Sequence, residues 1–519
     1  MMRTMVKSLL KREAYPEPTL SVEMVQTHVS WIFLTDTHAY KVKKPVDFGF
    51  LNFSTIDRRR FYCNEEVRLN RRLCPEIYEG VVEVRETPAG AAFHGEGPVI
   101  DYAVRMRRLP AERMLDRLVA KGDISSADMA NVARIIADFH RNAPTSPAIS
   151  VYGQLDRIMF NWQENFEQMV TFEDTTLSAE ELAMIRTWAS SFAAENADLF
   201  DQRVAEGFIR ECDGDIHLEN ICMTDGKVCI FDCIEFNERF RCCDTAADVA
   251  FLLMDLDYHG RHDLAEVAIA AYREASGDNG MMELIDFYKI YRAFVRGKVE
   301  SFRLNDGGID LHERELARGK AVRYFRLARG YIERRRLRPT LFITCGVMGS
   351  GKSSLAGQLA FELGIACFNS DVIRKRLAGI RPDTPAPADY GTGLYDRQTG
   401  TATYAELLRL ADTELGAGRS VIIDASFMRR ADRAECSALA GRRSAACVIL
   451  HVVCGEPELR RRLTERSTSG TSVSDGRVEL LDRQLQEFEP PDTGEGTLIT
   501  VTSAGEPAFL TSAVYGRLG

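Results

Sequence analysis

Residues 341–364 read LFITCGVMGSGKSSLAGQLAFELG. An apolar run, LFITC, leads into Gly346-Val-Met-Gly-Ser-Gly-Lys-Ser353, which fits G-x-x-x-x-G-K-S, and a helix-forming run follows. Strand, glycine-rich turn and helix in that order make a phosphate cradle. Gly346, Gly349 and Gly351 let the backbone bend so that several N–H groups face one anion-sized hollow. The helix N-terminus behind them adds partial positive charge. Lys352 is then expected to reach the β- and γ-phosphates of ATP and Ser353 to ligate Mg²⁺, with Ser350 and Ser354 completing the nucleotide-facing set.

Beyond this loop, SVIIDASF (420–427) and ACVILHVVC (446–454) are two more apolar strands separated by helical text. Alternating β and α elements imply a parallel sheet covered on both faces, an α/β domain. FNSDVIRKRL (368–377) carries Asp371 with Arg374 one helical turn on. A carboxylate there suits a general base for an acceptor hydroxyl, and the arginine suits an anion clamp. The same aspartate equally suits a helix cap. Asp424 ends an apolar strand, where an acid helps hold Mg²⁺, and Arg462 and Arg466 lie in an Arg-rich helix fit to close over a transferring phosphate. Over about residues 340–490 this text resembles the P-loop kinases of small molecules and polynucleotide ends. That resemblance implies Asp371 as base and Arg374 as clamp.

The N-terminal part carries a second constellation. Residues 213–220 read DGDIHLEN and 229–236 read CIFDCIEF. Asp215 with Asn220 five residues later matches the spacing of a kinase catalytic loop, and Asp232 stands where a second metal-binding acid belongs. Upstream, strand alternation puts Ala39 and Lys41 on one face, with Lys43 a rival for the phosphate-binding role. Glu66 in the following helix is a partner for that lysine, with Glu65 as its rival. Asp244 and Asp248 share one helix face, and Asp248 suits bracing of the catalytic loop. Thr27-His-Val-Ser30 is the only candidate cover for phosphates, Ser30 in particular, since no G-x-G-x-x-G loop is present.

Over about residues 25–305 this half resembles the aminoglycoside phosphotransferase-like kinases, related to protein kinases. The resemblance implies a two-lobe α+β domain in which Asp215 is the base, Asn220 and Asp232 hold Mg²⁺, and Lys41 orients phosphate. The family commonly has His-Gly-Asp where this chain has Asp213-Gly-Asp215. The added negative charge is expected to raise the pKa of Asp215. The order of both halves is similar to that of bacterial bifunctional aminoglycoside phosphotransferase/ATP-binding proteins.

A chain of 519 residues exceeds one hydrophobic core, and the basic stretch GYIERRRLRPT (330–340) marks the change of pattern. Two domains are expected, 1–335 and 336–519. With 45% hydrophobic and 27% charged residues the composition is that of a globular protein, and a net charge of −10 argues against general binding to nucleic acid or anionic membrane. An oligonucleotide end stays open as an acceptor. No apolar run is long enough for a membrane span, and the N-terminal text lacks the apolar core of a signal peptide, so a cytoplasmic protein is expected. Its 13 cysteines are expected to be free thiols, mostly small core residues. Together these readings point to an ATP- and Mg²⁺-dependent phosphotransferase with two ATP-binding domains and small hydroxyl-bearing acceptors. The alternative is a P-loop kinase regulated by a pseudokinase or ligand-sensing N-terminal domain.

Overall fold

The computed structural model describes residues 2–224, 226–381, 396–469, 481–503 and 507–518. The chain divides into two compact units, Met1–Ala321 and Val322–Gly519.

The first unit begins with strands β1 (Glu23–Gln26), β2 (Ser30–Leu34) and β3 (His38–Lys43). With β4 (Tyr78–Thr87), β5 (Gly90–Ala92) and β6 (Val99–Arg107) they form one sheet of order β1-β2-β3-β6-β4-β5, antiparallel throughout. Phe33, Tyr40, Val42, Val84 and Ala103 pack in the core beneath it. The helix Ile56–Asn70 crosses between β3 and β4, and Thr55 caps it by accepting from the Arg58 N–H at 3.3 Å. Sequence alternation did not reveal β4, although it is the longest strand of the sheet. Register shifts between Tyr78 and Gly80 and between Val84 and Arg85 break its period.

Helices fill most of residues 115–205. Two short ribbons follow: β7 (Ile209–Glu211) pairs with β10 (Cys242–Asp244), and β8 (Ile221–Thr224) pairs with β9 (Lys227–Ile230). Asp244 caps the helix Thr245–Tyr258 by accepting from the Ala246 N–H at 2.9 Å. That helix is buried over nearly its whole length and underlies the loop from Asp213 to Asn220.

The second unit is a five-stranded parallel sheet of order β12-β13-β11-β14-β15. The strands are β11 (Thr340–Cys345), β12 (Ala366–Asn369), β13 (Val421–Asp424), β14 (Ala446–Val453) and β15 (Thr497–Thr502). All six residues of β11 are buried. Leu341 and Ile343 enter a core with Leu407 and Ile423, while Phe342 enters another with Leu355, Ile422 and Leu450. The sheet is thus covered on both faces, as apolar rather than alternating strands require.

The division between units falls inside the helix Leu311–Arg336, upstream of the 335/336 boundary expected from the basic stretch. Past residue 321 that helix packs on the P-loop unit: Arg323 lies over the Phe361 ring, and Arg326 donates to the Ser512 hydroxyl at 2.7 Å.

One cysteine expectation is corrected. Cys74 and Cys229 form a disulfide, with Cα atoms 5.0 Å apart and 155 residues between them in sequence. No spacing motif marks such a pair. The other cysteines are free, and most are buried.

Candidate functional sites

In the first unit β3 delivers two lysines to one buried carboxylate. Lys41 pairs with Glu66 at 2.9 Å, and Lys43 pairs with the other oxygen of Glu66 at 2.6 Å. Lys41 also pairs with Asp232 and Lys43 with Glu235. Glu65, the rival for Glu66, pairs instead with Arg68. Burial pulls the Lys41 ammonium down, but Asp232, Glu66 and Glu235 outweigh it and hold the pKa well above the usual lysine value. Burial pushes the Glu66 carboxyl up, and the two ammonium groups bring it down to about 2. Glu235, with burial dominating and Glu66 near, is pushed up despite Lys43. Sequence reading missed Glu235. Its only signal was a position three residues after Asp232.

Asp232 lies just past the end of β9 in left-handed backbone, φ +67°, a conformation that costs a non-glycine residue free energy and recurs at functional sites. The Tyr78 hydroxyl accepts its N–H at 3.2 Å. Asp215 stands on the loop before the 3₁₀ turn Leu218–Asn220. Asn220 donates its side-chain amide to the Asp215 carboxylate at 3.1 Å, and His217 approaches the same oxygen at 3.5 Å. Asp248 braces this loop by accepting the N–H groups of Asp213 and Gly214 at 3.0 and 2.9 Å. His140, bonded to Asp248 at 3.1 Å and to the Tyr272 hydroxyl at 2.8 Å, holds the brace. Arg292 closes the loop from the other side through the Gly214 carbonyl at 2.8 Å.

The expected effect of Asp213 on the base is not what the geometry gives. Burial raises the Asp215 carboxyl, but His217, with Arg296 and Arg292, brings it net below the usual value. The elevation falls on Asp213 itself, which burial and Asp248 push well up. Asp213 accepts the Asp215 N–H at 3.1 Å, so it serves the loop as a hydrogen-bond acceptor.

Lys41, Asp215 and Asp232 line one cavity of about 1090 Å³, together with Thr27–Ser30 from the β1–β2 turn. Lys43 and Glu66 do not line it. The Ser30 hydroxyl is buried without a hydrogen-bond partner, while its N–H bonds Thr27 Oγ1 at 3.0 Å and tightens the turn. The Asp232 side chain is 44% exposed, so it presents a hard oxygen donor to the cavity that Asp215 also lines, while Asn220 is buried behind Asp215 and does not line it. This donor set suits Mg²⁺.

In the second unit the loop between β11 and the helix Lys352–Leu363 carries positive φ at Gly346 (+143°), Gly349 (+77°) and Gly351 (+97°). A Cβ on Gly346 would stand 2.6 Å from the Val452 carbonyl, and one on Gly351 2.6 Å from the Ser503 hydroxyl. Side chains are thus excluded at these two positions by both conformation and space. Lys352 Nζ donates to the Val347 carbonyl at 2.8 Å, folded back across the loop. Ser350 is buried, while Ser353 and Ser354 are exposed at the helix start. Gln484 accepts the Met348 N–H at 2.9 Å, a support that sequence reading missed.

Asp424, buried at the end of β13, accepts from the Thr344 hydroxyl at 3.1 Å and from Asn369 Nδ2 at 2.7 Å. Asn369, not Asp371, is the cap of the helix Ser370–Leu377: it accepts the N–H groups of Asp371 and Val372. The cap role held open for Asp371 is therefore taken, and Asp371 pairs with Arg374 one turn on. Arg462 reaches the loop: it donates to the Ser503 hydroxyl at 2.7 Å, pairs with Glu458, and approaches the Gly349 carbonyl at 3.4 Å. The Arg466 side chain lies outside the described residues.

Among the described residues no helix is long and apolar enough to cross a membrane. Residues 341–491 match the family model described as AAA domain, which agrees with the P-loop and the parallel sheet. Among solved structures, a choline/ethanolamine kinase family protein from Mesorhizobium loti aligns at 15% identity over 64% of this chain and 95% of its own, TM-score 0.39. A gluconokinase from Sinorhizobium meliloti 1021 aligns at 25% identity over 35% of this chain and 93% of its own, TM-score 0.25. Uncharacterized protein Mb2027c of Mycobacterium bovis is 32% identical over 418 residues, 80% of either chain. Uncharacterized protein Rv2004c of Mycobacterium tuberculosis matches to the same extent, and the chain belongs to the family of these mycobacterial proteins.

Proposed function

We propose that the protein is an ATP-dependent phosphotransferase with two active sites, one in each unit, each transferring a γ-phosphoryl group to a hydroxyl of a small molecule. The observation that carries this reading is the convergence of Lys41, Asp215 and Asp232 on one cavity of a chain whose other unit holds a P-loop. A binding or scaffold protein has no need of a base.

In the first site Lys41 orients phosphate from β3, with Glu66 fixing its ammonium. Asn220 and Asp232 would hold Mg²⁺, which when bound neutralises phosphate charge. Asp215, its carboxylate kept ionised by His217, takes the proton of the acceptor hydroxyl. The first unit then carries the two-lobe, aminoglycoside phosphotransferase-like plan. In the second site the loop N–H groups and Lys352 hold the phosphates, and Ser353 and Asp424 would hold Mg²⁺. Asp371 activates the acceptor, and Arg374 and Arg462 gather round the transferred group.

The test uses the full chain, labelled ATP and a metabolite extract as acceptor source. Asp215→Asn should remove one set of phosphorylated products and Lys352→Ala another. The base variant should lose about 10²-fold in transfer rate, the low end for a general base, because positioning dominates in loose phosphoryl-transfer transition states. If Asp215→Asn left every product in place while Lys352→Ala removed them all, the first unit would be a ligand sensor for a single kinase.

A further inference from the structure

The cavity of the first unit extends well beyond the residues that handle phosphate. Part of its wall comes from the helices Leu155–Met169 and Ile285–Arg303, and it is strongly aromatic, with Phe236, Phe240, Phe287, Tyr291 and Phe302 among its rings. About 1090 Å³ exceeds what most drug-sized ligands need, so an acceptor fits there beside a nucleotide.

Into this aromatic wall the second helix inserts a lysine. Lys298 Nζ donates to Asn165 Oδ1 at 2.5 Å and to Gln168 Oε1 at 2.8 Å, and it stands 5.6 Å from the centre of the Phe302 ring. Both oxygen partners are neutral amides. Among the described residues no carboxylate lies within ion-pair distance of it. Glu164, the acid nearest in effect, is engaged by Arg239 at 2.8 Å, and Asp244 is engaged by Arg203 at 2.6 Å. Burial pulls the Lys298 ammonium down to about 8, so it stays charged at neutral pH but without a counter-ion. Lys298 is half-buried, and even partial removal of a cation from water without a counter-charge is costly, with an amide partner restoring only part of the loss. A purely structural link between these two helices would be met better by a methionine or leucine against the rings. Lys41, the other lysine lining the cavity, has carboxylates in contact.

We propose that Lys298 is the anion-binding residue of an acceptor subsite, and that the first unit phosphorylates a hydroxylated acid with an aromatic or otherwise flat apolar body. The inference rests on the reading of this cavity as a phosphotransferase site. The rings hold the body by stacking, and the acceptor's own carboxylate, phosphate or sulfonate supplies the counter-charge that Lys298 lacks. The two amides keep the ammonium aimed by filling two of its three donor positions.

The experiment compares two fluorescent probes of the same skeleton on the full chain at pH 7. 8-Anilinonaphthalene-1-sulfonate carries the anion, and N-phenyl-1-naphthylamine lacks it. Wild type, Lys298→Arg, Lys298→Met and Lys298→Gln are titrated with each. A desolvated charge pair predicts at least about a tenfold loss of sulfonate affinity in the Met and Gln variants, retention in the Arg variant, and equal affinity of all four for the uncharged probe. Glutamine removes the charge and keeps a hydrogen-bonding amide, one bond shorter than the lysine, so it also stands in if methionine disturbs folding. Equal sulfonate affinity in wild type and Lys298→Gln overturns the proposal, as does a parallel loss for the uncharged probe, which would mark Lys298 as part of the wall's structure. No phosphoryl transfer enters these titrations. The kinase reading is decided separately by Asp215→Asn, and either can fail alone.

Discussion

Lys41 and Lys43 both reach Glu66, so charge alone does not tell them apart. Exposure does. The Lys43 side chain is 1% exposed and faces Glu66 and Glu235, whereas the Lys41 side chain is 10% exposed and lines the cavity. Removing one member of a buried ion network leaves its partner charged and unpaired, at about 3–5 kcal/mol. Lys43→Met should therefore show its effect mainly as a lower melting temperature, with Mg·ATP affinity of the folded protein nearly kept. Lys41→Met should cost less stability, because Lys43 still neutralises Glu66 and Asp232 is open to water. It should lower Mg·ATP affinity at least about tenfold, the worth of one charge-assisted contact of 1.4 kcal/mol or more. Melting curves and calorimetry on the two variants check both halves, and a reversed pattern would transfer the phosphate role to Lys43. At this scale the sequence was only partly legible. Alternation puts both lysines on one face, so it cannot choose between them. Glu235 and His140 act through chain folding over long separations, which no local spacing records.

Elements with a local cause were the easiest to read. The P-loop declares itself because its strand, its glycines and the helix N-terminus are contiguous, and its neighbouring strands are legible because their residues are mostly apolar and all buried, both faces of the sheet being covered. β4 escaped because two irregularities cancel its alternation, and its charged residues look like loop text. The helix Ser370–Leu377 is legible as a helix, and the cap role left open for Asp371 goes to Asn369, which lies at the end of a strand and belongs to both elements. Its side chain ties them: the oxygen receives two helix N–H groups, and the amide donates to buried Asp424. Asn369→Ala should lose the cap, about 0.5–2 kcal/mol, and strand an acceptor oxygen on Asp424, about 1–3 kcal/mol. Asn369→Ser can restore the cap but is too short to reach Asp424. The expected order of thermal stability is wild type, then serine, then alanine. Equal melting of the serine and alanine variants would mean that the Asp424 bond, not the cap, carries the effect.

At the scale of the whole molecule, the basic stretch before Pro339 looks like a linker, and its charge led the domain boundary to be expected at 335/336. The helix Leu311–Arg336 instead divides earlier, because its later turns have contacts of their own in the P-loop unit. Arg323 lies 4.1 Å from the centre of the Phe361 ring, and Arg329 lies 5.0 Å from that of Tyr515. Arg326 and Arg329 donate to the Ser512 hydroxyl at 2.7 and 3.0 Å. Gly330 passes so close to the Glu362 carbonyl that a Cβ there would overlap it, a sign of tight helix–helix packing. Charge made these turns look solvated, yet long arginines cover apolar surface with their stems while their heads stay polar. Two cation–π contacts at about 0.5–1 kcal/mol each and two hydrogen bonds at about 0.5–1.5 kcal/mol each come to roughly 3 kcal/mol. That is a large share of the about 5–15 kcal/mol that keeps a domain folded. A fragment of residues 336–519 should therefore melt roughly 6–12 °C below one of residues 322–519, at 2–4 °C per kcal/mol for a domain of this size. Limited proteolysis should cut the shorter fragment faster, because it opens more often. If the two fragments melted together, the helix after residue 321 would be a linker, and the boundary would lie at 335/336 as the charge pattern suggests.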